Sequence, residues 1–538
     1  MSRLSELLQR RRWLLLLLGF VAIEAVYVFF VSAGRLTHWP TYLTFLDDQA
    51  EGFRGGHLHL AIEPPAALLA KANPFDPAWK PLWYWDASLY NGHYYLYWGP
   101  VPALLLAGWK TLLRVHARVG DQYVVFVLAS LQALAGMLLI DRARRRLFPA
   151  LPGIFVALAV AVFAFANPTL YNLARAGVYE AAIVGGHAFL ICGLLFAFHA
   201  LTVGPWKGPT PPAKDSDERS SSSSTRSTTI GPGQNITPAA ASRHRLHLAL
   251  AGVCWALALG CRVSIAPGVG ALAAVTCWLT APRGPERWRR RARALAWLAA
   301  PLALGVALLL AHNKLRFDAW LDFGRHYQLS WIQFGSSASY LAVNAWSYAL
   351  RPLAVGCRFP FLYGVTDMGA RAFPGWLHVP DGYIVYEPVV GCVLALPWAW
   401  LAPVTAVSGV RRLWALARGR APADAEVPAV ALTWLAVATT AAAVASFAVP
   451  LTLFWATMRF LGDAAPALTL AGTVGWWLCH ARFHAQPSLR RLVASAAVAL
   501  ALVTVLIGAA LAFEGQYKHF RLHNPALLDR LEKMLSFC

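Results

Sequence analysis

Charge is scarce in this chain. Only 14% of its 538 residues are Asp, Glu, Lys or Arg, while 58% are hydrophobic. Soluble domains carry about 25% charge, and here the apolar residues come in long blocks rather than amphipathic stripes. An ordinary cytosolic enzyme, a disordered chain and a secreted disulfide scaffold are therefore excluded. None of the eight cysteines forms a Cys-x-x-Cys pair, so no zinc ribbon or disulfide framework is readable. Cys192, Cys254, Cys261, Cys277 and Cys392 lie in apolar blocks, where a thiol acts as a small hydrophobe. A bridge between Cys357 and Cys538 is possible if both lie outside. There is no Gly-rich phosphate loop, no Walker motif, no His-Glu-x-x-His and no internal repeat. The missing nucleotide motif argues against an ATP-driven pump, and the missing repeat against a two-halved transporter.

What is present is a series of membrane spans. A span needs about 20 apolar residues. Eleven candidates fall at 13–33, 121–140, 151–166, 178–201, 246–263, 266–281, 294–312, 388–409, 427–449, 460–478 and 492–512. The first follows Arg10, Arg11 and Arg12 and is too long for a signal-peptide core, so it reads as an anchor. The stretch 99–117 begins with prolines and carries Lys110 and Arg114, and it reads as an interfacial helix.

The net charge of +21 comes from 47 Lys and Arg against 26 Asp and Glu. In a soluble protein this would suggest nucleic acid. Here 27 of the 47 cations fall in six short segments, at the N-terminus, 141–147, 203–245, 282–293, 411–420 and 479–491. The positive-inside rule puts these in the cytoplasm, with no nucleic-acid partner. Two long segments, 34–120 and 313–387, then lie outside. The expected organisation is an all-α polytopic membrane protein. It has an N-terminal module (1–202), a disordered cytoplasmic Ser-rich linker (203–245), a C-terminal module (246–512) and an outer amphipathic tail (513–538). The Asn235-Ile236-Thr237 sequon falls in the cytoplasmic linker and is discounted.

The segment 34–120 opens with Asp47, Asp48 and Glu51. Crowded carboxylates repel, which raises a pKa and suits a general base; the same residues also fit a solvated charge run. Asp86 follows inside a cluster of Trp83, Tyr84, Trp85, Tyr90, Tyr94, Tyr95, Tyr97 and Trp98. Such rings stack on sugars or form a membrane-interface belt. A carboxylate among them needs a partner.

These features resemble the GT-C membrane glycosyltransferases, and more closely the bacterial relatives of protein O-mannosyltransferases and lipid A aminoarabinose transferases. One span precedes an acid-bearing outer segment, then Asn91-Gly92-His93-Tyr94-Tyr95, then Gly99-Pro100-Val101-Pro102-Ala103-Leu104-Leu105. In those families a comparable proline run opens a helix on the membrane surface. Their catalytic acids follow the first span, matching Asp47-Asp48 or Glu51; the usual Asp-Glu pair is Asp-Asp here. Further along, Glu180, Arg262, Lys314, Arg316, Tyr327, Arg358, Glu387, Arg459 and Asp463 all fall toward one membrane face. Singly, each fits snorkelling or a helix-end ion pair.

The resemblance implies transfer of a sugar from a polyprenyl-phosphate donor to an acceptor hydroxyl on a lipid, glycan or protein, by inverting single displacement. The location is outside a bacterial inner membrane. Asp48, then Glu51 or Asp47, would be the base, and Asp86 would orient a substrate. Arg459, Arg358, Lys314 and Arg262 would hold the phosphate, with Asp463 fixing Arg459 from one helical turn away. Tyr94, Tyr95, Tyr327, Glu180, Glu387 and Asp463 would line the substrate site. No motif supports a cofactor, and a divalent metal is without one too. The alternatives are a transporter of lipid-linked saccharides and an inactive GT-C-like scaffold.

Overall fold

The computed structural model describes residues 2–203, 238–280, 287–330, 335–369, 372–385, 387–418, 427–515 and 518–538. The fold is all-α. Its main helices are α1 (Ser2–Val31), α2 (Phe45–Arg54), α3 (Val101–Leu113), α4 (Asp121–Leu147), α5 (Ile154–Phe165), α6 (Val178–Val203) and α7 (Pro238–Cys261). They continue with α8 (Ala266–Thr280), α9 (Arg287–Phe317), α10 (Ala402–Ala417), α11 (Val427–Ser446), α12 (Ala465–Arg482), α13 (Pro487–Glu514) and α14 (Pro525–Leu535). One short hairpin, β1 (Ser88–Tyr90) and β2 (His93–Tyr95), pairs Leu89 with Tyr94.

Among the described residues, eight helices are long and apolar enough to cross a membrane: α1, α4, α6, α7, α8, α9, α11 and α13. Their outward faces carry large apolar side chains that a soluble protein would bury, such as Leu14, Leu15 and Leu18 on α1 and Leu304 and Leu308 on α9. The remaining three of the eleven expected spans differ in form. At 151–166 only the 12 residues of α5 are helical, about 18 Å of rise. The stretch 388–409 is broken into Cys392–Ala395, a 3-10 turn at Pro397–Leu401, and α10. Pro397 causes the break, since a proline pushes the residue before it out of the helical region; Leu396 sits at φ −140°, ψ 65°. The Trp398 N–H freed there donates to Thr504 Oγ1 at 2.9 Å. The stretch 460–478 begins as a 3-10 segment, Met458–Asp463, before α12. Helix α3 has 13 residues and rises about 20 Å, short of the hydrocarbon thickness.

Residues 238–245, read as the end of a linker, belong to α7, which starts at Pro238; the rest of that stretch, residues 204–237, lies outside the described residues. Helices α4, α6 and α7 pack in series, and α8 packs against α11. At the basic end, Arg12 of α1 donates to both carboxylate oxygens of Asp141 on α4, at 3.1 and 2.6 Å. At the other end the long segments 34–120 and 313–387 meet: Ser88 bridges to Gln328, and the Leu329 N–H donates to Ala87 O at 2.9 Å. A second, smaller core gathers Val343, Tyr348, Phe373 and Tyr383 with Phe454 and Trp455.

The Cys357–Cys538 bridge is formed. It fastens the tail to segment 313–387, where the Phe359 N–H also donates to Ser536 Oγ at 2.9 Å. The tail reaches the end of α1 as well. His519 Nε2 bonds Phe30 O at 3.0 Å and Asn524 Nδ2 donates to Ala33 O at 2.9 Å.

Candidate active site

Helix α2 places Asp47 and Asp48 in its first turn, where the helix dipole favours negative charge. Asp47 and Glu51, four residues apart, share a face. Both meet Lys110 of α3, whose ammonium is wholly buried and donates to Asp47 Oδ1 at 2.7 Å. Arg54 Nη1 also holds Glu51, at 2.7 Å. Asp48 points elsewhere and accepts from Tyr84 Oη and Arg118 Nη2, each at 2.6 Å. The three carboxylates are thus divided among cations instead of facing one another. Burial pushes the Glu51 carboxyl up, but hydrogen bonds from Lys110 and Arg54 outweigh it and its pKa falls below the ordinary value. For Glu51 the mutual-repulsion expectation is overturned by two cations: Arg54, three residues on along α2, and Lys110 of α3, which was not visible in the local pattern.

Asp86 sits where the two long segments join. Its φ is 65°, a left-handed conformation that Asp tolerates better than most residues. Its N–H donates to Leu329 O at 3.2 Å, and Gln328 Nε2 donates to its Oδ1 at 3.1 Å. The Tyr179 side chain at the start of α6 bonds it too. Burial dominates over these bonds and over the charges of Arg459 and Arg175, so the Asp86 pKa is raised.

Behind Tyr179 lies a buried ion network. The Arg459 guanidinium stands 4.6 Å from the Tyr179 ring centre. Its Nε donates to Glu387 Oε2 at 2.9 Å and its Nη1 to Glu180 Oε1 at 3.2 Å. Arg175 approaches Glu180 at 3.6 Å and Glu387 at 3.5 Å, and Thr457 Oγ1 bonds Glu387 as well. Asp463 does not fix Arg459, contrary to the sequence expectation. It takes three hydrogen bonds from Arg262 at 2.7–2.9 Å. Residues 458–463 are 3-10 rather than α, so positions four apart fall on different faces.

These elements enclose a cavity of about 340 Å³. Leu259, Leu309, Val449 and Leu453 supply apolar wall, and Tyr97, Trp98, Tyr179 and Trp455 supply rings. Two cations, Arg262 and Arg325, stand in the lining.

The other sequence candidates lie apart from that lining. Lys314 is half-buried and reaches Asp318 Oδ1 at 3.5 Å. Arg358 is exposed beside the tail disulfide. Tyr95 and Tyr327 both pack on Phe317, and Tyr94 packs on Tyr84. Asp47, Asp48 and Glu51 do not line the cavity. Sequence reading missed Tyr179, Arg325 and Gln328. Tyr179 adjoins the noted Glu180, but Arg325 and Gln328 gave no local signal, since their roles arise from pairing across more than 200 residues. Among the described residues, the one group of three or more His, Cys, Asp or Glu side chains able to hold a metal is His59, Glu63 and His93.

No protein-family model and no curated protein sequence matches the chain. Among solved structures it is similar to the apo oligosaccharyltransferase of Archaeoglobus fulgidus, at 12% identity and TM-score 0.43 over 95% of this chain and 55% of that one. It is also similar to AglB from the same organism in complex with an inhibitory peptide and a dolichol-phosphate, at 11% and 0.44 over 94% and 56%. A third is ArnT from Cupriavidus metallidurans bound to undecaprenyl phosphate, at 13% and 0.44 over 96% and 78%. The chain spans about 55% of the length of the two archaeal chains.

Proposed function

We propose that the chain is a membrane glycosyltransferase that moves a sugar from a polyprenyl-phosphate donor to an acceptor hydroxyl on the extracytoplasmic side. One observation carries this reading. A single apolar cavity holds two arginines in its wall and a tyrosine that is bonded to a half-buried carboxylate, Asp86, with a raised pKa. An isoprenoid tail suits Leu259, Leu309, Val449 and Leu453. A phosphate suits Arg262 and Arg325, and a sugar face suits Tyr97, Trp98 and Trp455.

In the proposed reaction Asp86 takes the acceptor hydroxyl proton. The acceptor oxygen attacks the anomeric carbon, the bond from that carbon to the phosphate oxygen breaks, and the configuration inverts. The electron pair leaves with the phosphate, where Arg262 and Arg325 stabilise it. We place the base at Asp86 in preference to Asp48, Asp47 and Glu51, because those three are held by Lys110, Arg54 and Arg118. Asp48 acts as a positioning residue. Its bond to Tyr84 holds the turn 84–87, in which the Ala87 N–H donates to Tyr84 O at 3.1 Å. Glu180, Glu387 and Arg459 support the cavity wall by fixing Tyr179.

Incubating purified protein with labelled polyprenyl-phosphate sugars and a panel of lipid, glycan and peptide acceptors tests this. Transfer with inversion, and release of one polyprenyl phosphate per sugar, is expected. Movement of the intact donor across vesicles without bond breakage would make the chain a transporter. Neither outcome would leave an inactive scaffold.

A further inference from the structure

A second polar cluster lies outside the cavity and plays no part in the proposed chemistry. His59 follows α2, His93 opens β2, and Glu63 lies between them in sequence. One ligand atom from each falls within 4.8 Å of the other two. His93 Nδ1 is buried with no hydrogen-bond partner and lies 3.7 Å from Glu63 Oε2.

The His59 tautomer is set for ligation. His59 Nδ1 is 3.0 Å from Leu60 O. A carbonyl oxygen only accepts, so that nitrogen carries the proton and Nε2 keeps its lone pair. This is how metal-ligating histidines are usually oriented. His57 braces the same ring. It bonds His59 O through Nδ1 at 3.1 Å and stacks on the His59 ring at 3.8 Å. The two histidine-bearing strands are tied by the Leu60 N–H, which donates to Tyr94 O at 2.8 Å. Glu63 is 70% exposed, so it is free to swing inward and the position is reachable from solvent.

We infer that His59, Glu63 and His93 bind one zinc-class divalent ion, with water completing a tetrahedral shell. Two imidazoles and a carboxylate suit Zn²⁺, whereas Mg²⁺ prefers all-oxygen octahedral surroundings. Ligands at 2.0–2.1 Å from a tetrahedral ion stand about 3.4 Å apart; the His59 and His93 rings are stacked 4.3 Å apart and 15° from parallel, so closing the set requires the rings to turn until their lone pairs converge. The ion acts as a clip. It joins the chain after α2 to the β1–β2 hairpin, two residues from Ala61, whose N–H donates to Asp48 O at 2.8 Å. It thus steadies the lobe that carries the acids without touching the cavity. The inference does not rest on the transferase reading.

The test uses full-length, detergent-purified protein without a histidine tag. Zn²⁺ and, separately, Mg²⁺ are titrated, with bound metal measured by elemental analysis after gel filtration and thermal unfolding followed in parallel. The expected result is one Zn²⁺ per chain with a raised Tm, and no Mg²⁺ retained. The double variant His59→Ala/His93→Ala should lose the ion. Glu63→Gln alters a mostly exposed side chain, so it should fold normally and weaken binding at least about tenfold, since even outer-shell losses cost that much. Absence of Zn²⁺ binding by the native chain would overturn the site. So would unchanged stoichiometry and affinity in a folded Glu63→Gln variant and in the double variant.

Discussion

Tyr179 stacks its ring on Arg459, 4.6 Å from the guanidinium, and bonds Asp86 through its side chain. A cation locked between Glu180 and Glu387 therefore sets the position of Asp86, which stands outside the cavity lining and reaches it through Tyr179. The same contact separates two classes of cation. Arg459 stands outside the cavity lining, whereas Arg262 and Arg325 stand in it, Arg262 braced by three hydrogen bonds to Asp463.

Asp86→Asn should lower kcat by about 10²–10⁴, the usual worth of a general base. The base works deprotonated, so the rate should rise with pH through a value above the ordinary 3.8 of an aspartate. Gln328→Leu removes a bond that favours the charged form and should move that limb to higher pH. A carboxyl with a raised folded pKa loses stability as pH rises from its unfolded value through its folded one. At pH 7 the Asn variant should therefore melt no lower than the native chain. Full rate in Asp86→Asn, with collapse in Asp48→Asn, would transfer the role to Asp48.

Arg459→Ala leaves Glu180 and Glu387 to share the one cation Arg175, beside neutral donors from Gly177 and Thr457, in a site where both are 1% exposed. Breaking such a pair costs about 3–5 kcal/mol, so yield and Tm should fall together. Arg262→Lys keeps a cation in the lining but loses the fork that grips Asp463. Its donor Kd should rise while the protein remains folded. Donor binding in Arg459→Ala at native affinity per folded molecule, alongside weaker binding in Arg262→Lys, is the predicted pattern.

Lys110→Ala should be among the most destabilising single changes in segment 34–120, again by about 3–5 kcal/mol, because Asp47 stays buried without its partner. The double change Lys110→Met/Asp47→Leu should recover much of that loss. The pH dependence follows from Glu51. Its folded pKa is lowered, so its contribution is present above the ordinary 4.5 and is lost as pH falls through the folded value. Acid unfolding of Glu51→Gln should accordingly be less steep below pH 4.5, measured by thermal melts.

Replacing Cys357 and Cys538 by Ser should cost about 2–4 kcal/mol, the range for a bridge closing a long loop. Disulfides persist in oxidising compartments. The native chain should resist maleimide at both positions until reduced, and a membrane-impermeant reductant should suffice.

A single cysteine at position 144, in an otherwise Cys-free chain, should react only after the membrane is opened. Arg144 belongs to the basic end of α4 that the positive-inside rule puts in the cytoplasm. Reaction from outside would invert the proposed orientation.

The membrane character and the long apolar helices were legible because hydrocarbon demands runs of about 20 apolar residues, and such runs survive in one dimension. The break at Pro397 was in principle legible too, since a proline in an apolar run ends or kinks a helix. Partnerships were not. Asp47 looked repelled by Asp48 until Lys110 appeared from 63 residues away, and Asp463 looked like the mate of Arg459 until Arg262 arrived from 201. Local spacing shows which face a side chain takes only when the local geometry is known, and the 3-10 turn at 458–463 changed it.

The tail carries an implication for biosynthesis. Residues 519–524, which follow α13, hold the backbone of Phe30 and Ala33 at the exit of α1, and Cys538 holds Cys357. The lobe that emerges first from the translocation machinery is thus clasped by residues that cannot arrive until α13 has been inserted. The clasp on the exit of α1 therefore closes late in synthesis, and a ribosome stalled before residue 519 would display that exit without its clasp.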